Sequence, residues 1–186
     1  MTKQDSAGSV TGRRSMFDVE RVLIVGSPGS GKSTFARRLA QITHLPLVYL
    51  DMLYWKADGT TETAEVFDAR LRAVLAKPRW IMDGNYMRTL KVRLSACDTV
   101  FAFDVPPEIC LEGALARIGR KRPDLPWIEE VPDPDFLSYI RVFPRQRLPR
   151  LRTLLDSQHH AAVRWLRSRG EADAFLDTLQ SQSPAD

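Results

Sequence analysis

The sequence contains no apolar run that approaches the roughly 18 residues that a membrane-spanning helix requires. Its first residues lack the charged segment followed by an apolar segment that is typical of a secretory signal. We therefore expect a cytoplasmic protein that does not cross a membrane.

Cysteine and histidine are scarce, with two and three residues respectively. The cysteines, Cys97 and Cys110, have no metal-ligand spacing, which favours reduced structural thiols over a disulfide framework. The histidines, His44, His159 and His160, fit neither a catalytic triad nor a metal site. No G-x-G-x-x-G fingerprint is present either, so zinc, haem and nicotinamide sites are not indicated.

Composition and length indicate one globular domain. The chain has 186 residues, of which 44% are hydrophobic and 27% are charged, which is close to the usage of ordinary globular proteins. The net charge of +4 favours an anionic partner. A phosphate-bearing metabolite and a nucleic acid satisfy this preference equally well.

Short apolar runs alternate with longer amphipathic ones from residue 21 onward, which predicts βα units around a parallel sheet. Five strands are predicted, at Val22–Val25, Leu47–Leu50, Trp80–Met82, Val100–Phe103 and Ala161–Leu166. The predicted helices are Lys32–Ile42, Thr63–Ala76, Arg88–Ala96, Glu108–Gly119, Asp135–Phe143, Leu151–Ser157 and Glu171–Leu179.

The domain boundaries follow from this pattern. Residues 1–20 are polar and predict a mobile tail, residues 21–180 form the domain, and residues 181–186 form a second tail. Within the domain we expect a substrate-binding insertion at about 52–79 and a lid at about 117–135. Four prolines in residues 120–134 prevent the preceding helix from continuing through the lid.

The stretch "GSPGSGKST" lies between a predicted strand and a predicted helix and matches the P-loop pattern G-x-x-x-x-G-K-[ST]. Such a loop directs backbone N–H groups and a helix N-terminus at a polyphosphate. We expect Lys32 to bridge the β- and γ-phosphates of ATP as a catalytic residue, and the Ser33 hydroxyl to ligate Mg²⁺. The nucleotide-binding residues are predicted to be Gly26, Ser27, Pro28, Gly29, Ser30, Gly31, Lys32, Ser33 and Thr34.

Asp51 ends the second predicted strand in "LVYLDMLYW", and thus lies at the sheet edge where ligands bind in such folds. We expect it to accept a proton or a hydrogen bond from a substrate, and its alternative role is a helix cap or turn aspartate. Tyr54 and Trp55 follow at once and suit a substrate pocket as well as they suit core packing.

Asp83 ends the third predicted strand in "WIMDGNYMRT". At that edge it can orient Mg²⁺ through water, since an unpaired carboxylate beside a P-loop is otherwise costly. We place Asp83, Asn85 and Arg88 among the acceptor-binding residues, because the Arg88 fork can point at a phosphate or carboxylate. An exposed surface arginine is the alternative for Arg88.

Arg117, Arg120 and Arg122 precede the proline-rich loop and are the predicted catalytic arginines of the lid. Phosphoryl transfer needs charge stabilisation more than covalent help, so arginines that close over the γ-phosphate are expected. The alternative is a solvated basic helix end. A second basic stretch can close the site from the far side, bind nucleic-acid phosphates or form a solvated helical face; its residues are Arg141, Arg145, Arg147, Arg150 and Arg152.

These motifs, together with "FAFDVP", "RPDLP" and "DFLSYIRVFP", resemble the small kinase-like proteins called DNA topology modulation proteins, a branch similar to adenylate kinases. The resemblance extends from about Val22 to Leu179. It implies a three-layer P-loop kinase fold, α/β, with a five-stranded parallel sheet of order 2-3-1-4-5, an ATP site and a basic lid. The same resemblance implies a basic residue near position 113, where this chain has Gly113.

Three functions are consistent with the sequence. The first is a phosphotransferase that moves the γ-phosphoryl of ATP to a small acceptor, a nucleotide or a related metabolite. Asp51 is then a general base for a hydroxyl acceptor, or a recognition group for a phosphate. The second is an ATP-dependent nucleic-acid-binding regulator without kinase activity, and the third is an ATPase that works with a partner protein. A monomer and a homodimer are both consistent with the sequence.

Overall fold

The structure is a computed structural model that describes residue 16 and residues 18–182. Most of the two predicted tails therefore lies outside the described residues. Val19, at the end of the predicted N-terminal tail, is buried against the core. The last helix continues to Ser181, which is where the predicted C-terminal tail begins.

Five parallel strands form one sheet in the order β2-β3-β1-β4-β5, as expected. The central strand β1 is buried on both faces, and its side chains alternate between two cores, with Val22 and Ile24 on one side and Leu23 and Val25 on the other. The strands are β1 Arg21–Gly26, β2 Leu47–Tyr49, β3 Trp80–Asp83, β4 Thr99–Phe103 and β5 Ala162–Leu166.

Helices cover both faces of the sheet and give three layers. The first core holds buried residues of α1, α5 and α8, and the second core holds buried residues of α3, α4 and α7. The helices are α1 Lys32–Thr43, α2 Leu50–Tyr54, α3 Ala64–Leu75, α4 Leu90–Ala96, α5 Pro107–Leu115, α6 Pro134–Gln146, α7 Leu148–Asp156 and α8 Arg169–Ser181, with a 3₁₀ turn at Met87–Thr89.

Two element boundaries differ from the prediction near the sheet edge. Strand β2 ends at Tyr49, and Asp51 lies in the first turn of the short helix α2 instead of ending the strand. Helix α5 ends at Leu115, four residues early, so the lid arginines follow the helix. Gly119, which has a φ of 73°, donates its N–H to the Glu129 carbonyl and so joins the two ends of the lid.

None of the helices among residues 16 and 18–182 combines the length and apolar composition of a membrane span.

Candidate active site

The P-loop turns sharply between β1 and α1, and its glycines adopt backbone angles that other residues avoid. Gly26 and Gly29 have φ angles of 119° and 77°. A Cβ on Gly26 would lie 2.1 Å from the Phe103 carbonyl oxygen, and one on Gly29 would lie 2.2 Å from that of Cys110. Glycine at these two positions therefore permits the close approach of the loop to β4 and α5.

Lys32 begins α1 and is buried, with its Nζ donating a hydrogen bond to the Ser27 carbonyl at 2.6 Å. Burial lowers the pKa of Lys32, and the negative charge of Asp83 opposes this effect. The ammonium group thus lies against the backbone of the loop, where a cation can contact a bound phosphate.

Ser33 and Asp83, the two predicted metal ligands, are in contact. Ser33 Oγ donates to Asp83 Oδ2 at 2.6 Å, while the buried Oδ1 of Asp83 has no hydrogen-bond partner among the described residues. Burial raises the pKa of Asp83 to about 6, although the charge of Lys32 and the Ser33 hydrogen bond oppose the shift. An unpartnered carboxylate oxygen beside a hydroxyl fits Mg²⁺.

No cluster of three or more histidine, cysteine or acidic side chains that could hold a metal occurs in the part of the chain that the structure describes. This absence is compatible with Mg²⁺, because that ion usually takes one or two carboxylates and completes its shell with water and substrate phosphates.

The turn after β3 holds the site together. Asn85, predicted to bind the acceptor, lines the cavity and uses its side-chain amide to bond both backbone groups of Gly26. Tyr86, whose φ is 32°, donates its hydroxyl to Asp51 Oδ1 at 2.6 Å. The fully buried Arg93 donates to the backbone carbonyls of Gly84, Asn85 and Tyr86 and so fixes the turn.

Asp51 lies within an aromatic group that we call the ring cluster, composed of Tyr54, Trp55, Phe67, Tyr86 and Trp127. Burial raises the pKa of Asp51, while the Tyr86 hydrogen bond and the charge of Lys32 oppose the shift. Asp51, the ring cluster and residues 28–34 of the P-loop line one cavity of about 1130 Å³. The predicted substrate residues Tyr54 and Trp55 therefore face the same space as the phosphate cradle.

Arg88 also lines this cavity, but its guanidinium is already paired. Its Nη1 and Nη2 donate to the two carboxylate oxygens of Asp68 at 2.8 and 2.6 Å. The group lies 5.9 Å from the centre of the Phe67 ring. Arg88 is thus largely exposed, as a surface arginine would be. It also lies at the cavity, as an acceptor-binding residue would.

The predicted lid lines the cavity with arginines that differ in their partners. Arg122 Nη1 lies 3.1 Å from Asp124 Oδ2, and Arg122 Nη2 lies 2.9 Å from Glu129 Oε2. Arg117 Nε lies 3.1 Å from the same oxygen of Glu129. Arg120 lines the cavity and is exposed, and no carboxylate pairs with it among the described residues. Of the three predicted catalytic arginines, Arg120 is therefore the one that no described carboxylate neutralises.

Sequence reasoning missed Arg169 at the start of α8. Its Nη2 donates to the carbonyls of Gly29 and Ile109 at 3.2 and 2.9 Å, and its Nε donates to that of Ser30 at 3.4 Å. Arg169 follows the carboxyl end of β5, so the sheet-edge argument that found Asp83 could have found it too.

The second basic stretch does not reach the site. None of its five arginines lines the cavity. Arg152 pairs with Asp104 and lies 4.3 Å from the Trp165 ring centre, and Arg147 lies 6.0 Å from that of Tyr139. Two members of the stretch are thus engaged in contacts within the protein.

Comparison with known proteins identifies the fold. No protein-family model and no curated protein sequence matches this chain. Among solved structures, shikimate kinase from Bacteroides thetaiotaomicron matches with a TM-score of 0.60 and 16% identity over 88% of this chain and 98% of that one. Shikimate kinase from Acinetobacter baumannii, in complex with shikimate, matches with a TM-score of 0.58 and 18% identity over 91% and 98%.

Shikimate kinase from Aquifex aeolicus matches with a TM-score of 0.50 and 17% identity over 89% of this chain and 99% of that one. Since identities this low report on architecture only, what these matches establish is the fold. The chain has the five-stranded P-loop kinase fold.

Proposed function

We propose that the protein is a kinase that transfers the γ-phosphoryl group of ATP to a small acceptor. The observation that carries this proposal is the shared cavity, which has a phosphate cradle around Lys32 and an aromatic pocket around the half-buried carboxylate of Asp51. An enzyme that transfers a phosphoryl group needs both compartments, and it needs them in contact.

The cradle binds the polyphosphate of ATP with backbone N–H groups, the α1 N-terminus and Lys32. Ser33 and Asp83 would hold Mg²⁺, which supplies positive charge that offsets the charge of the phosphates. Asn85 keeps the loop attached to the strand that carries Asp83, so the nucleotide and the carboxylate stay in register. Arg120 supplies the unpaired lid cation for the transferred group.

Asp51 acts on the acceptor. When the acceptor is a hydroxyl compound, its oxygen attacks the γ-phosphorus and its proton passes to the Asp51 carboxylate. The bond from the γ-phosphorus to the bridging oxygen breaks, and ADP leaves with that electron pair. Tyr86 holds Asp51 in place, which supports the base assignment over a role as a helix cap.

The regulator function has less support. Two arginines of the second basic stretch make internal contacts, and the resemblance to topology modulation proteins remains an expectation from sequence motifs. Binding to nucleic acid is therefore an outcome to be tested, with the strong salt dependence that phosphate contacts impose.

The test is whether ADP formation from Mg·ATP depends on an added acceptor, drawn from pooled nucleosides, nucleoside monophosphates and hydroxylated metabolites. Lys32→Ala should abolish this turnover, whereas Lys77→Ala, an exposed lysine outside the cavity, should not. Slow ADP formation that ignores every acceptor, or ATP binding without turnover, would favour the ATPase or the regulator.

A further inference from the structure

We infer that the acceptor is an uncharged hydroxyl compound with a flat aromatic ring, and that it is neither a phosphate nor a carboxylate anion. The inference rests on the proposed kinase function and concerns the compartment around Asp51. Two independent features of that compartment carry it, namely its lining and the pairing of its charges.

The lining is a continuous aromatic surface. Tyr54 contacts Trp55, Phe67 and Tyr86 with ring centroids 5.1, 5.7 and 5.0 Å apart. Trp55 extends the surface into the lid through Trp127, at 4.9 Å. Such a wall stabilises a ligand body by apolar burial and ring contacts.

The cations near this wall already have anionic partners. Arg88 is held in a two-point pair by Asp68. In the lid, Arg122 is shared between Asp124 and Glu129, and Arg117 contacts Glu129 as well. An anionic acceptor would have to displace these carboxylates, and it would also approach the negative charge of Asp51.

The cavity cations without a carboxylate partner among the described residues are Lys32, Arg120, Lys121 and Arg169. Lys32 and Arg169 donate to P-loop carbonyls, and Arg120 and Lys121 belong to the lid. Lys32 and Arg169 thus lie at the P-loop, where the phosphates of ATP bind, whereas Arg88, the cation beside the ring cluster, is neutralised by Asp68.

The carboxylate of Asp51 matches a hydroxyl donor. Its Oδ1 accepts the Tyr86 hydroxyl, and no hydrogen bond reaches its Oδ2 from the described residues. The acceptor O–H can therefore donate to Oδ2, which takes the proton as the new oxygen–phosphorus bond forms and later releases it to water. A nucleoside or an aromatic alcohol has this chemistry, in contrast to the nucleotide that the sequence suggested.

The experiment compares acceptors in matched pairs that differ by one anionic group, namely nucleosides against their 5′-monophosphates and aromatic alcohols against their carboxylated analogues. ADP formation should give a kcat/KM at least tenfold higher for the uncharged member of each active pair. Quenching of tryptophan fluorescence gives a separate binding readout. Uncharged members should quench in the wild type and quench less in Trp127→Phe.

Asp68→Asn tests the charge argument directly, because it leaves Arg88 unneutralised. The preference for the uncharged member should shrink at least threefold in this variant and stay unchanged in Asp58→Asn, an exposed aspartate of the same insertion. An unchanged preference in Asp68→Asn would contradict the role given to this ion pair.

The two proposals fail in different ways. If the anionic members are turned over in preference and Lys32→Ala abolishes that turnover, the inference is overturned and the proposed kinase function still stands. If neither member of any pair produces Lys32-dependent ADP or quenches fluorescence, the proposed function fails and the inference fails with it.

Discussion

The side-chain amide of Asn85 is paired with the backbone of Gly26, donating to its carbonyl at 2.9 Å and accepting from its N–H at 2.8 Å. This two-point contact joins the last residue of β1 to the turn that follows β3. Because Asp83 lies two residues before Asn85, this contact fixes the position of the carboxylate that would face Mg²⁺ relative to the phosphate cradle.

Asn85→Asp should weaken ATP binding and lower the free energy of unfolding by about 1–3 kcal/mol, since a carboxylate oxygen would replace the donor that faces the Gly26 carbonyl. Nucleotide titration and urea unfolding measure the two effects. Gln158→Glu is a matched control, because Gln158 makes the same two-point contact with the backbone of Ala161 away from the cavity. It should lose stability and keep its ATP affinity, and equal affinity losses in both variants would contradict the role of Asn85.

Arg93→Met should lower kcat more than it raises the KM for ATP. Its guanidinium holds three successive carbonyls of the turn, including that of Tyr86, whose hydroxyl orients Asp51. Removing a buried donor from three carbonyls also costs stability, on the order of 2–4 kcal/mol.

Steady-state kinetics and urea unfolding check this prediction, with Lys91→Met, an exposed cation of the same helix, as the control. Selective loss of ATP affinity in Arg93→Met would show that the turn serves the cradle instead of Asp51.

The sequence predicted the sheet order through a resemblance. It predicted which residues lie together at the site where their place at the end of a strand is enough to bring them to the same sheet edge. Parallel strands place their carboxyl ends at one edge, so a P-loop after β1 and Asp83 at the end of β3 had to meet. The Ser33–Asp83 contact follows from that register. Asp51 reached the same edge although it lies in a helix turn, because β2 ends only two residues earlier.

The partners of long side chains were not predictable in this way. Arg88 pairs with Asp68, twenty residues earlier in the chain, and Glu129 pairs with two arginines of the lid. These pairs depend on the length of the side chains and on the course of the loops, which the sequence pattern does not show. The burial of Arg93 could not be predicted, because an arginine at that position of an amphipathic helix normally lies on the exposed face, whereas in the structure it is fully buried.

Gly113→Ala should weaken ATP binding at least as strongly as Arg169→Ala does. A Cβ at position 113 would lie 2.2 Å from Arg169 Nη2 and 2.4 Å from the Gly29 carbonyl oxygen. The guanidinium would have to leave the carbonyls that it holds, and the Gly29 backbone would have to shift as well, so Gly113→Ala removes the Arg169 brace and also displaces the P-loop. The double variant should therefore lose little more affinity than Gly113→Ala alone, and additive losses in nucleotide titration would contradict a shared brace.

Arg120→Ala and Arg122→Ala should separate catalysis from lid structure. Arg120 has no carboxylate partner among the described residues, so its removal should lower kcat by tenfold or more with little change in stability. Arg122 is tied to Asp124 and Glu129, so its removal should lower the free energy of unfolding by about 1–3 kcal/mol and raise KM. Steady-state kinetics and urea unfolding on both variants check this division, and a reversed pattern would exchange the two roles.

The stability of the nucleotide-free protein should fall between about pH 4 and pH 7 because of Asp83. Burial raises the pKa of Asp83 from its ordinary 3.8 to about 6. Between these values the folded protein keeps a proton that the unfolded chain has lost, so the free energy of unfolding decreases as the pH rises. At about 1.4 kcal/mol per pH unit, this contribution amounts to about 3 kcal/mol.

Asp83→Asn isolates this effect, because the variant has no carboxylate to ionise and retains a neutral acceptor for Ser33. Urea unfolding across the pH range should show the wild type losing about 3 kcal/mol relative to the variant by pH 7. Mg·ATP should recover that loss in the wild type and stabilise the variant less, since a cation offsets the buried charge only where the carboxylate is present. A difference that stays constant with pH would mean that the pKa of Asp83 is the same in the folded and unfolded chains, and the argument that a cation must offset its buried charge would lose its support.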